Sequence, residues 1–142
     1  MAFEPLEVRR IIEPETARLA AARAKHARPL IAEMASVLKD QDEAVKRGNI
    51  PVEQDIRFHT LIASASGNSL IEKIVGVMNE SMRDWKMKTL ELGDYGAEPA
   101  ADHWQIWKAI AAGDQDLSYE RALRHIELSQ ELILRFLSLD SH

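Results

Sequence analysis

Apolar residues recur at three- and four-residue intervals along almost the whole chain, with polar residues between them. That is the period of helices that bury one face. No run of alternating β-branched residues and no Asn-Gly or Asp-Gly hairpin turn interrupts it. The first predicted helix runs from about Pro5 to His26, with Arg9, Ile12, Thr16, Leu19 and Arg23 on one stripe. Pro14 inside it predicts a kink or a break near Glu13. The second runs from about Arg28 to Arg47 on Leu30, Met34, Val37, Leu38 and Val45. Gly48-Asn49 ends it with a residue that tolerates left-handed backbone. The third starts near Pro51, a good first-turn residue, and carries Asp55, His59, Ile62 and Ala63 on one side. Gly67-Asn68 stops it, and Asn68 or Ser69 caps the fourth.

The fourth predicted helix is long, Ser69 to Leu90, on a stripe of Ile71, Ile74, Val75, Met78, Met82 and Trp85. Leu92 to Pro99 is the one clear loop. The fifth, about Ala101 to Ala112, places His103, Ile106, Trp107 and Ile110 at i, i+3, i+4 and i+7. Gly113-Asp114 marks its end and the cap of the sixth, about Gln115 to Leu139, with Ala122, His125, Leu132 and Phe136 on its stripe. Six helices joined mostly by short turns predict an all-α antiparallel bundle.

The stripes contain residues that a plain core does not need. Asp55 and His59 lie one turn apart on the same face, and His103 and His125 sit within apolar stripes of later helices. A buried histidine needs partners for both ring nitrogens, because an unpaired buried polar group is costly. Two readings follow. Each histidine is bonded to a backbone carbonyl, or all three share one site with Asp55. Three neutral imidazoles and a carboxylate suit Zn²⁺, Ni²⁺ or another first-row divalent ion rather than Mg²⁺ or Ca²⁺. Four such ligands complete a tetrahedron, or leave two positions open on an octahedral ion.

Arg9, also on an inward stripe, must meet an anion. That anion is either an acidic residue in a structural ion pair or the carboxylate of a ligand gripped in two places. His26 and His142, at a helix end and the terminus, read as solvated. Trp107 reads as core, and the run Lys39-Asp40-Gln41-Asp42-Glu43 as a solvated face.

Composition narrows the function classes. The 142 residues suit one domain, and 46% hydrophobic with 29% charged is ordinary for a soluble globular protein. With no cysteine there is no disulfide, thiolate site or cysteine nucleophile. A formal net charge of −5 argues against duplex binding by this chain itself. No apolar run approaches the ~20 residues of a membrane span, and residues 1–5 do not read as a signal peptide.

In order along the chain, Arg9-x-x-Ile12-Glu13-Pro14, Leu19-Ala20-Ala21, Asp55-x-x-Phe58-His59, Ala65-Ser66-Gly67-Asn68, His103-x-x-Ile106-x-x-Ala109-Ile110, Gly113-Asp114 and Arg124-His125-Ile126 resemble the FCD domain. This is the C-terminal effector-binding domain of FadR-type regulators within the GntR family. The resemblance covers nearly all of residues 1–142. It implies a bundle of six to seven helices enclosing a metal and ligand cavity. It also implies a divalent metal on Asp55, His59, His103 and His125, and a small organic acid beside it with Arg9 as a carboxylate contact. The implied setting is a cytoplasmic homodimer that meets operator DNA only through a separate N-terminal domain, which this chain does not contain. Ser118 stands where an alanine is usual, and Ala122 where a methionine is frequent. The competing reading is a helical-bundle metalloenzyme that uses the same four ligands on a small organic acid. A third is a dimerisation bundle with satisfied core histidines.

Overall fold

The computed structural model describes residues 3–91 and 97–140, and these form an all-α antiparallel bundle of seven helices with no strand among them. Helix α1 spans Phe3–Ala22, followed by a 3₁₀ turn at Ala24–His26. Then come α2 (Arg28–Lys46), α3 (Val52–Ala65), α4 (Ser69–Ser81), α5 (Arg83–Glu91), α6 (Ala97–Ala111) and α7 (Gln115–Asp140). Helix α1 lies along α7 and also meets α3, α4 and α6, while α2 packs on α3 and α6. The main core joins Ala17, Ala20, Met34, Leu38, Phe58, Ile62, Ile106 and Ile110.

The turn chemistry follows the chain. Gly48, Gly67 and Gly113 take φ of 75°, 75° and 72°, the left-handed region a glycine enters without cost. Asn68 caps α4 by accepting hydrogen bonds from the backbone N–H groups of Leu70 and Ile71, and the Asp114 carboxylate accepts from Leu117 N–H.

Several boundaries differ from expectation. Helix α1 continues through Pro14 without a break. Its buried face is Leu6, Arg9, Glu13, Thr16, Ala17 and Ala20, whereas Leu19 and Arg23 are exposed. The small alanines allow α1 to sit at the centre of the bundle, so the buried stripe follows them rather than the larger Leu19. The expected helix over 69–90 is two helices meeting at Met82, whose ψ is 2°. Just before it, the Asn79 side-chain amide donates to Val75 O and Ser81 Oγ donates to Met78 O. Side chains that compete for helix carbonyls favour such a break.

On α4, Ile74 is exposed rather than part of the stripe. Residues 97–99, expected in a loop, open α6; the rest of that loop lies outside the described residues. On α7 the buried positions are Ser118, Ala122, His125, Ile126 and Ile133, with Leu132 half-buried; the Phe136 side chain and His142 lie outside the described residues. Trp107 and Trp104 pack half-buried on the main core, their indole N–H groups donating to Ile31 O and the Asp42 carboxylate. His26 is exposed, as expected.

Candidate metal centre

Helical periodicity sets the centre. Asp55 and His59 are successive turns of α3, His103 is one turn before Ile106 on α6, and His125 is one turn after Ala122 on α7. All four side chains are buried. The structure brings the three histidines together. One ring nitrogen of each lies within 4.8 Å of the others. The His103 and His125 rings are 4.5 Å apart between centroids, and each is 5.3 Å from His59. Asp55 does not share that common distance; it borders the group at His59, its Oδ1 3.2 Å from His59 Nε2.

Around them lies a polar shell that the sequence reading did not assemble. His59 Nδ1 is 2.8 Å from Glu13 Oε1, and the other oxygen of Glu13 meets the Arg9 guanidinium. His103 Nδ1 bonds the Gln41 side-chain oxygen. Lys86 on α5 donates to Asp55 Oδ1 at 2.9 Å. Asp102 stands 3.8 Å from His125 Nδ1. Gln41 therefore corrects the expectation of a solvated face over 39–43. It continues the buried stripe of Met34 and Leu38 at the next turn, a signal the surrounding charges masked. Glu13 was legible as the residue one turn after Arg9. Lys86 was not, because a lysine on an apolar stripe usually snorkels to water.

Burial tends to push the Glu13 carboxyl up, but Arg9 and His59 outweigh it and hold the group well below the usual carboxylate range. Burial acts on Asp55 in the same way, and Lys86 with His59 reverses it, again well below the usual range. Burial also opposes charge on His103 and His125. The neighbouring His125 lowers His103 further, while Asp102 partly offsets the fall on His125. Both rings are therefore neutral, the form that ligates a metal.

These residues fit a first-row divalent ion. His103 Nε2 and His125 Nε2 face each other at 3.1 Å. Two nitrogens on one ion at ~2.1 Å stand roughly 3.0–3.4 Å apart. His59 Nε2 is buried and, though 3.2 Å from Asp55 Oδ1, makes no well-formed hydrogen bond, which suits a ligand nitrogen. Gln41 and Glu13 hold the outer ring nitrogens of His103 and His59, the partners that fix a ligand's orientation.

The ligand cavity is not open. The space beside His59 and His125, bounded also by Glu13, Thr16, Ile62 and Ala122, measures about 10 Å³, room for about one water. A second space of about 10 Å³ lies between Gln41, Asp55, Pro99 and His103. The Arg9–Glu13–His59 and Lys86–Asp55 contacts close the centre on itself. An organic acid therefore enters only with displacement of side chains or helices.

The metal-free domain should lose stability as pH falls below about 6.5, the ordinary histidine value. The unfolded chain takes up protons there that buried His103 and His125, with lowered values, resist. Their contribution is complete above that pH and falls away below it, by up to about 1.4 kcal/mol per pH unit for each ring. Urea melts in chelator between pH 5 and 8 read the slope. A midpoint flat over that range contradicts the arrangement.

Fold and centre together define an all-helical bundle built around buried histidines and a carboxylate. The FCD domain family matches residues 4–128, and the chain belongs to that family. The family is a regulatory one. Among solved structures, Streptococcus agalactiae GntR is similar over 92% of this chain, with 25% identity and a TM-score of 0.74. This chain spans 58% of that protein's length. No curated protein matches. No helix among the described residues is long and apolar enough to cross a membrane.

Proposed function

We propose that this chain is the metal-dependent, carboxylate-sensing domain of a GntR-type transcriptional regulator, that it forms a homodimer, and that it acts in the cytoplasm. The observation that carries the metal half is the meeting of His59, His103 and His125 from three helices, with Asp55 beside them. Zn²⁺ or Ni²⁺ suits this ligand set. The anionic ligand is supported by charge. Arg9–Glu13 and Lys86–Asp55 already balance within the buried centre. A divalent ion adds two positive charges that burial makes costly, and an incoming carboxylate offsets them. Arg9 is the candidate fork for that carboxylate. Self-association is supported by the exposed apolar side chains of Ile11, Leu70 and Val77 on α1 and α4. Operator DNA would be met by a separate N-terminal domain, since this chain is acidic.

Native mass spectrometry of protein purified without chelator tests the reading. The expected species is a dimer with one transition-metal ion per chain. Calorimetric titration of small carboxylic acids should then show binding to the metal-loaded protein and none after EDTA. Monomeric, metal-free protein leaves only a structural bundle. Turnover of an acid by the loaded protein transfers the site to the metalloenzyme class.

A further inference from the structure

Lys86 is 5% exposed and its ammonium donates to Asp55 Oδ1 at 2.9 Å. Lysine is seldom buried so completely, and this one is placed on the carboxylate of the candidate metal set. The break at Met82 begins the short helix that carries it there. Asp55 Oδ1 is shared between Lys86 and His59 Nε2, at 2.9 and 3.2 Å. A divalent ion bound between Asp55 Oδ1 and His59 Nε2 would compete with the ammonium for that oxygen and for the space beside it. Two cations close to one buried carboxylate oxygen also repel strongly.

We propose that Lys86 is the resident counter-ion of Asp55 in the metal-free domain and is exchanged off that carboxylate when a divalent ion enters. The inference rests on the reading of the histidine cluster as a metal centre. The exchange has two consequences. The metal-free bundle keeps Asp55 buried with a partner, so the domain stays folded before loading. Metal affinity is lowered by whatever stability the Lys86–Asp55 contact lends the metal-free form, which makes loading reversible. A lysine serving only to hold α5 against α3 would instead contribute equally with and without metal.

The test compares wild type with Lys86→Met, Lys86→Gln and Lys86→Arg. Zinc affinity is read by competition with a chromophoric chelator, and melting temperature is read in EDTA and in excess zinc. Lys86→Gln retains a donor for Asp55 and guards against loss of folding in Lys86→Met. The expected result is at least ~10-fold tighter zinc binding in the Met and Gln variants, with a lowered melting temperature in EDTA but little change in zinc. Lys86→Arg, which keeps the charge, should not bind more tightly. Wild type that binds zinc while the Met and Gln variants bind it equally or more weakly overturns the exchange and leaves the metal centre standing. Wild type that binds no zinc overturns both.

Discussion

His103→Ala should reduce affinity for a divalent ion by on the order of 100-fold or more, and His125→Ala should match it. Each removes one nitrogen of the facing pair at 3.1 Å. Losing even an outer partner of a metal ligand costs ~10–100-fold, so losing the ligand itself should cost more. Gln41→Leu supplies the comparison. It leaves every ligand in place but removes the acceptor for His103 Nδ1, and a loss of about 10-fold is expected. Because a native-state ligand at ~1,000 times its Kd adds about 4 kcal/mol, metal should raise the wild-type melting temperature by on the order of 10 °C. That rise should shrink to about a third or less in the alanine variants. Metal content by mass spectrometry and melting curves with and without EDTA read both effects. Unchanged stoichiometry in His103→Ala and His125→Ala refutes the centre.

The fold was legible because the period of the apolar positions carries it. His103, Ile106 and Ile110 recur at helical spacing and are buried together, as are Met34 and Leu38. Gly48, Gly67 and Gly113 stop helices where left-handed backbone is needed. The break at Met82 was not legible, because no proline or glycine marks it. Its cause is the pair of side-chain bonds from Asn79 and Ser81, visible only once the helix exists. On α1 the alanines, weak signals in a hydrophobicity pattern, define the buried face in place of Leu19.

The centre divides in the same way. His59, His103 and His125 stood out because histidine on an apolar stripe is unusual, and the structure places them together. Gln41 and Lys86 did not stand out, because charged and amide residues are common on helices and each meets its partner across the bundle. The closed centre could not be read from the chain either. It depends on how far Arg9 and Lys86 reach toward carboxylates on their own and neighbouring helices.

Arg9→Ala should lower folding stability by about 3–5 kcal/mol, the usual cost of removing one partner from a buried ion pair. Arg9 is 1% exposed and its guanidinium meets Glu13, also buried. The substitution leaves the Glu13 carboxylate inside the bundle beside His59, without the arginine that holds its proton affinity down. The double variant Arg9→Met with Glu13→Gln should recover a good part of the loss. Methionine fills most of the arginine's volume, and the glutamine oxygen still accepts from His59 Nδ1. Replacing both charges together is frequently near neutral, whereas breaking the pair is not. Urea unfolding of both variants in chelator measures this.

The same two proteins separate structure from ligand recognition. If Arg9 also receives the carboxylate of the effector, the double variant should retain metal yet bind acids tens-fold or more weakly, since losing one partner of a charged contact costs about 2–5 kcal/mol. Calorimetry on the metal-loaded double variant decides the point. Acid affinity equal to wild type would confine Arg9 to the ion pair with Glu13 and move the carboxylate contact to another group at the centre.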